Sequence, residues 1–510
     1  MDRFDAAVIG AGPEGLIAAI TLARAGSRVV VLEKAAEPGG RAATREFHPG
    51  FRVSPYTDEL AAIPARLYRA LGLARRGAVL APSPASVCVS DGRRSVIFAD
   101  EARSARTVPA AARAGLAALR RELAGVQHAL EERASAMAPV ARHWFGSRRG
   151  KRHAPWLDGG WMSASLDEAL RARIDDPLLR LHLAADAVSG RAVSPLLAGT
   201  ALHALAPGAG RSGQAPGGLG RLGAVLANIA REAGATIRCN APVTDIRVKG
   251  SRAAALIVGT REKVEARAFV SALDVRRTML NLIAWNELPT ALVKRVGRYR
   301  IGGQAARILF ALDAPPDFAL AREAEDAAAG PIHVTESMEA LSRAHDAWRA
   351  GVLPDSPLVT LRLPSLADPR LAPVGKAVMT ATISAVPSQM SDGGWTQGKR
   401  QHLAALALAA AERAMPGVTS RLLGFEAIVG PDIEQELGAT GGDLDGGELA
   451  PDQALDFRPF GDAAWRGGRT PIASLYLAGP SAAASPFFLG MSGERAARAV
   501  IHDLKAGLRR

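Results

Sequence analysis

The sequence predicts an α/β fold, and three stretches of its 510 residues carry that prediction. The first is "VIGAGPEGLIAAITLARAGSRVVVLEK" at 8–34, which reads as strand, glycine turn, helix and strand. The second is the long middle, where an Ala/Leu/Arg-rich helical block gives way to pieces that alternate between strand and helix. The third is "IASLYLAGPSAAASPFFLGMSGERAARAVIHDL" at 472–504, a strand, a loop and a helix near the C-terminus. A chain of this length exceeds one simple core, so at least two domains, serial or interleaved, are expected.

In the first stretch, the β-branched pair Val8-Ile9 leads into the turn Gly10-Ala11-Gly12-Pro13-Glu14-Gly15. An apolar-periodic helix follows from Leu16 to Ala25, and Gly26 stops it where a left-handed residue is wanted. Arg28–Leu32 is valine-rich and reads as a second, buried parallel strand. The glycines of the turn have separate physical roles. Gly10 permits the tight turn, Gly12 lets backbone approach a pyrophosphate, and Gly15 lets helix pack on strand. Amides at the helix start, with the helix dipole, then face phosphate charge. Pro13 costs little at the first helical position, because its missing donor would be unpaired anyway. Glu33 closes the second strand, where a carboxylate accepts both ribose hydroxyls and repels a 2′-phosphate. FAD or NAD therefore fits, and NADP does not.

Hydrophobic residues make up 48% and charged residues 22%, the balance of a folded protein. The formal net charge is +13, which favours anionic partners. It concentrates in "ARHWFGSRRGKRHAPW" at 141–156, where Arg142, Arg148, Arg149, Lys151 and Arg152 alternate with Trp144, Phe145 and Trp156. A solvated basic loop is the plainer reading of such a run. Docking on an anionic membrane surface is the sharper one. No nucleic-acid reading module is found, so no nucleic-acid partner is expected. No signal peptide and no uncharged span of bilayer length are recognised, so the expectation is a cytoplasmic protein, peripheral at most to the inner face of the membrane. Cys88 and Cys239 have no C-x-x-C partner, the histidines show no ligand spacing, and no G-x-S-x-G is present. No metal is expected.

Beyond Glu33-Lys34, Gly39-Gly40 again allow close backbone approach, and Arg41 brings a guanidinium suited to a phosphate or a flavin carbonyl. The Glu-Lys at 33–34, the Gly-Gly-Arg at 39–41 and "PGFRVSP" at 49–55 together resemble the phytoene dehydrogenase-like flavoproteins. Within them the likeness is to the branch called pyridine nucleotide-disulphide oxidoreductase domain-containing protein 2. The resemblance runs over essentially the whole chain. It implies a discontinuous Rossmann-type FAD-binding domain from 1–75, 214–285 and 440–510. A mixed α+β substrate domain, at 76–213 and 286–439, is inserted between those segments.

By that resemblance Gly217-Gly218-Leu219-Gly220 returns the chain to the FAD domain, and Val243 offers backbone groups to the adenine. The segment 264–283 continues as strand then helix, and its Ser271-Ala272 lie beside the cofactor. Strand Ser474–Ala478, Gly479 and a helix capped near Ser492, with Glu494 in its first turn, close the FAD domain. Gly490 and Met491 meet the flavin at the positive end of that helix. Gly10, Gly12, Pro13, Glu14, Gly15, Glu33, Lys34, Gly40, Arg41, Val243, Gly479, Gly490 and Met491 are thus the expected cofactor-binding set. Two further glycine matches are not second dinucleotide sites. "GAGRSG" at 208–213 is a loop, and "GLGRLG" at 218–223 opens a helix, Gly223 to Gly234, but lacks the strand before it and the acid after it.

Two departures stand out. Phe487 and Phe488 replace residues that leave room near the flavin ring in the family, and Asp445 falls where a family histidine sits. No catalytic residue is assigned: Asp58, Glu59, Asp443 and Asp445 are candidate acids, each reading as a surface or turn residue sooner than as a base. The expected activity is FAD-dependent dehydrogenation of an apolar, isoprenoid- or carotenoid-like small molecule in an apolar tunnel, with an unknown electron acceptor. The alternatives are a flavin-dependent amine oxidase and a catalytically decayed flavin-binding scaffold.

Overall fold

Strand Phe4–Ile9, the helix Pro13–Arg24 and strand Val29–Leu32 form the expected βαβ unit at the N-terminus. The computed structural model describes residues 4–135, 160–205, 213–214, 217–318 and 325–507. The basic segment 141–156 lies outside them, as does most of "GAGRSG".

A five-stranded sheet is assembled from three separated stretches of chain, in the order 475–477, 266–271, 4–9, 29–32, 236–238. Every neighbouring pair is parallel. Numbered along the chain this is 5-4-1-2-3, the doubly wound order in which a ligand lies across the carboxyl ends of the strands. Its strands are buried on both faces, which is why they read as continuous apolar runs such as Val29–Leu32. On one face, Leu16, Ile17 and Ile20 of the first helix pack with Ala496, Ala497 and Val500 of the C-terminal helix Met491–Lys505.

The second sheet has seven strands, ordered 422–428, 305–312, 377–384, 359–362, 332–334, 85–90, 93–98. Its pairings are antiparallel except 332–334 with 85–90. The helix Gln397–Ala414 lays Leu403, Ala407 and Ala411 on one face. The long helix Ala110–Ser135 and the helix Pro177–Val188 build a separate helical core around Trp161 and Leu202.

Three local expectations shift. The C-terminal helix starts at Met491 rather than at Ser492, with Gly490 at its head in a left-handed conformation, φ 85°. Ser492 does not cap it, because its hydroxyl donates to Ala478 O at 2.7 Å, tying the helix to the end of strand Leu475–Leu477. The helix after Gly217-Gly218 begins at Gly220, three residues before the expected Gly223, and runs to Glu232. The segment after Ser271 makes a short π-turn at Arg277–Asn281 in place of a regular helix. Among the described residues no helix is long and apolar enough to cross a membrane.

Candidate active site

The carboxyl ends of the parallel strands open into a pocket of about 1480 Å³. This exceeds the roughly 300–1,000 Å³ of an ordinary ligand site and suits an extended dinucleotide. Gly10, Gly12, Pro13, Glu14, Glu33, Lys34, Gly40, Arg41 and Val243 all line it. Its backbone cradle depends on missing side chains. A Cβ at Gly15 would stand 2.1 Å from Gly10 O, and one at Gly40, where φ is +54°, would stand 2.9 Å from Gly12 Cα. The Glu33 carboxylate is buried and accepts from Ala11 N at 2.6 Å and Ala35 N at 2.9 Å, so it also fixes the turn it closes. Lys34 donates to Gln435 O at 2.6 Å, and burial holds its ammonium below the usual lysine range. Arg41 donates to Leu444 O at 3.1 Å from the pocket wall.

Gly15, Gly479, Gly490 and Met491 are not part of that wall. Gly15 packs helix on strand, as its spacing implies. Gly479 is a close-approach position, where a Cβ would come within 2.0 Å of Leu273 O. Met491 points into the helical core. Gly490 acts through its amide, which donates to Glu14 Oε1 at 2.7 Å, while Gly493 N donates to Oε2 at 2.8 Å. Burial pushes the Glu14 carboxyl up, against the pull of those two amides. The first glycine turn and the last helix are thereby one unit.

The bulky pair does not fill the site. Phe487 and Phe488 are both buried, and they pack into the helical core. Their neighbours Ser485 and Leu489 line the nucleotide pocket, and Pro486 faces a second cavity.

That second cavity, about 230 Å³, shares Arg41, Tyr56, Asp443 and Leu444 with the nucleotide pocket. Its wall carries charge where an apolar tunnel was expected. Arg307 grips Asp58 through two bonds of 2.6 and 2.9 Å, and Arg362 meets Glu59 at 2.7 Å. His333 meets Asp186 at 2.7 Å, and Arg191 meets Asp445 at 2.9 Å. All four candidate acids lie here and none is a surface residue. Burial raises Asp58, but the Arg307 guanidinium outweighs it and holds the carboxyl below its usual range. Asp445 is likewise held low, Arg191 overcoming burial. Asp443 differs: burial, then the neighbouring Asp445, push it up to about 7, against amide bonds from Gly302, Asp445 and Gly447. The partners Arg307 and Arg362 were missed in the sequence. Their signal was a lone arginine inside each of the apolar strands "AARILFAL" and "VTLR".

Residues 15–279, just over half of the chain, match the family model described as flavin containing amine oxidoreductase. The chain belongs to that family. It is 27% identical over 552 residues to the pyridine nucleotide-disulfide oxidoreductase domain-containing protein 2 of Rattus norvegicus, covering 99% of this chain and 94% of that protein. Over 107 residues, 20% of this chain and 19% of the relative, it is 36% identical to a limonene dehydrogenase subunit of Castellaniella defragrans. Its fold is that of the cyclohexylamine oxidase of Brevibacterium oxydans, with a TM-score of 0.58, 17% identity and coverage of 99% and 100% of the two chains. This flavin oxidoreductase takes FAD as its cofactor. The glycine cradle, Glu33 and Arg41 suit the dinucleotide.

Proposed function

We propose that this FAD-dependent oxidoreductase oxidises a small polar amine at the carbon next to nitrogen. The observation that carries the reading is the charged second cavity adjoining the nucleotide pocket. Asp58, Glu59, Asp186, Asp443 and Asp445 face Arg41, Arg191, Arg307 and Arg362 there, an excess of acid over arginine that suits a cationic ligand. Asp443 stands out among the five, since backbone amides and no arginine hold its oxygens. FAD, when bound, supplies the hydride acceptor. The chain's part is to hold the amine, take its proton and keep water away.

Apolar isoprenoid dehydrogenation is the second reading. It is favoured by the partial likeness to a limonene dehydrogenase subunit and by the phytoene dehydrogenase-like motifs. Such a substrate would be reached from a bilayer, and docking of the basic 141–156 segment on anionic lipid belongs to this reading. Salt-sensitive cosedimentation with anionic but not neutral vesicles tests it.

Anaerobic titration separates the two readings. Holoprotein mixed with cyclohexylamine or putrescine should lose its oxidised-flavin absorbance, while limonene should leave it unchanged. Bleaching by limonene alone would overturn the amine reading.

A further inference from the structure

Two buried histidines, His182 and His333, have no part in holding a dinucleotide, yet they sit in one continuous chain of hydrogen bonds. His333, on strand Ile332–Val334, meets Asp186 Oδ1 at 2.7 Å and Thr360 at 2.9 Å, and Thr360 meets Ser189 at 2.7 Å. These four residues line the second cavity. From Asp186 the chain leaves the cavity. Ser86 donates to Asp186 Oδ2 at 3.1 Å and lies 2.9 Å from His182 Nε2, and His182 Nδ1 lies 3.0 Å from the hydroxyl of Ser95. Ser95 is partly exposed on strand Arg93–Phe98, the edge of the seven-stranded sheet.

We propose that Asp186, Ser86, His182 and Ser95 form a proton conduit from the second cavity to the sheet edge. The proposal rests on reading that cavity as the amine chamber. Apart from the carboxylate at the cavity end, every group in the chain has both a donor and an acceptor to offer, which is what stepwise proton transfer requires. His182 is completely buried, and burial lowers it to about 4, so it stays a neutral imidazole with one donor and one acceptor nitrogen. Asp186 and His333 face it, Arg120 of the long helix adds positive charge, and Cys88 lies near Asp186. Asp186 itself is held low, His333 outweighing burial, and so starts as a carboxylate ready to accept.

The chemistry balances. A bound ammonium breaks one N–H bond, its nitrogen keeps the electron pair, and the proton passes to Asp186. The neutral amine is the form from which bound FAD would accept hydrogen with both electrons of the adjacent C–H bond, which would leave an iminium. The proton leaves Asp186 through Ser86 and His182 to Ser95 and solvent before that C–H bond breaks. A carboxylate held low otherwise returns it to the amine, so loss of the conduit slows flavin reduction itself. Each turnover resets the carboxylate.

The test uses holoprotein, cyclohexylamine and anaerobic stopped-flow absorbance, with His182→Gln and His182→Ala, neither of which alters the cavity wall. Both variants should keep FAD content and amine affinity. His182→Gln, which keeps a donor and an acceptor in the buried site, should melt closer to wild type than His182→Ala, whose cavity lowers its melting temperature. The rate of flavin reduction should fall about tenfold or more, within the usual range for a lost proton-transfer group. Added imidazole should restore the rate in His182→Ala and leave His182→Gln slow, a rescue that a merely structural role would not give. Reduction of His182→Gln at the wild-type rate overturns the conduit and leaves the amine reading standing. A wild-type flavin that no amine bleaches removes that reading, and the conduit with it.

Discussion

Glu33 serves two ends at once, since the carboxylate placed to meet a ribose also accepts from Ala11 N and Ala35 N. Glu33→Ala should therefore weaken FAD binding beyond the about 1.5–3 kcal/mol of one charge-assisted hydrogen bond, and should lower the melting temperature of the apoprotein too. Fluorescence titration and thermal melts check both. Asp58 behaves oppositely to a surface acid. Because Arg307 holds it below its ordinary 3.8, its ion pair stabilises the fold fully above that pH and loses its effect as pH falls through the lower, folded value. Asp58→Asn should cost about 3–5 kcal/mol at neutral pH, the usual loss when one partner of a buried pair is removed. In denaturant titrations that gap to wild type should narrow in strong acid, and a constant gap would contradict the assignment. Asp443, raised to about 7, gains its charge as pH rises through neutrality, so amine affinity should rise over the same interval in wild type and not in Asp443→Asn. The nucleotide half of this site was legible because Gly10, Gly12, Gly15 and Glu33 are fixed by local spacing. The charged cavity was not, because Asp58 meets Arg307 across 249 residues and no local pattern announces the pair.

Among the elements, the first and last helices act as one support for the cofactor turn. Glu14 of the first accepts the amides of Gly490 and Gly493 at the head of the last, and Leu16 and Ile20 pack with Ala496 and Val500. A Cβ at Gly493 would stand 2.1 Å from Glu14 O, so Gly493→Ala should push the helices apart, lowering both FAD content and melting temperature. Unchanged FAD content in that variant would show that the contact does not matter to the cofactor. The helices themselves were readable from apolar periodicity and the stop at Gly26. The start of the last helix differs by a residue from its sequence signal because Ser492 has the chemistry of a cap but spends its hydroxyl on Ala478 O. The Phe487-Phe488 pair shows the same limit. Sequence likeness puts these rings beside the flavin, whereas the loop turns both into the helical core, where apolar burial outweighs any role at the pocket.

At the scale of the whole molecule, one parallel sheet drawn from both ends and the middle of the chain positions the dinucleotide, and one mixed sheet supplies the charged cavity beside it. The N-terminal βαβ unit of the parallel sheet was legible in the sequence, but the order of that sheet's remaining strands was not. The polarity of the second cavity was not legible either, since it arises where strands of the mixed sheet distant in sequence meet. All of the chemistry argued above requires FAD in the first pocket. The most direct measurement is the FAD released per chain when purified wild type and Gly40→Ala are denatured side by side. Wild type should be yellow and release one FAD per chain, and Gly40→Ala, whose Cβ would strike Gly12, should release little. A colourless wild type that stays colourless through titration with FAD would contradict the account.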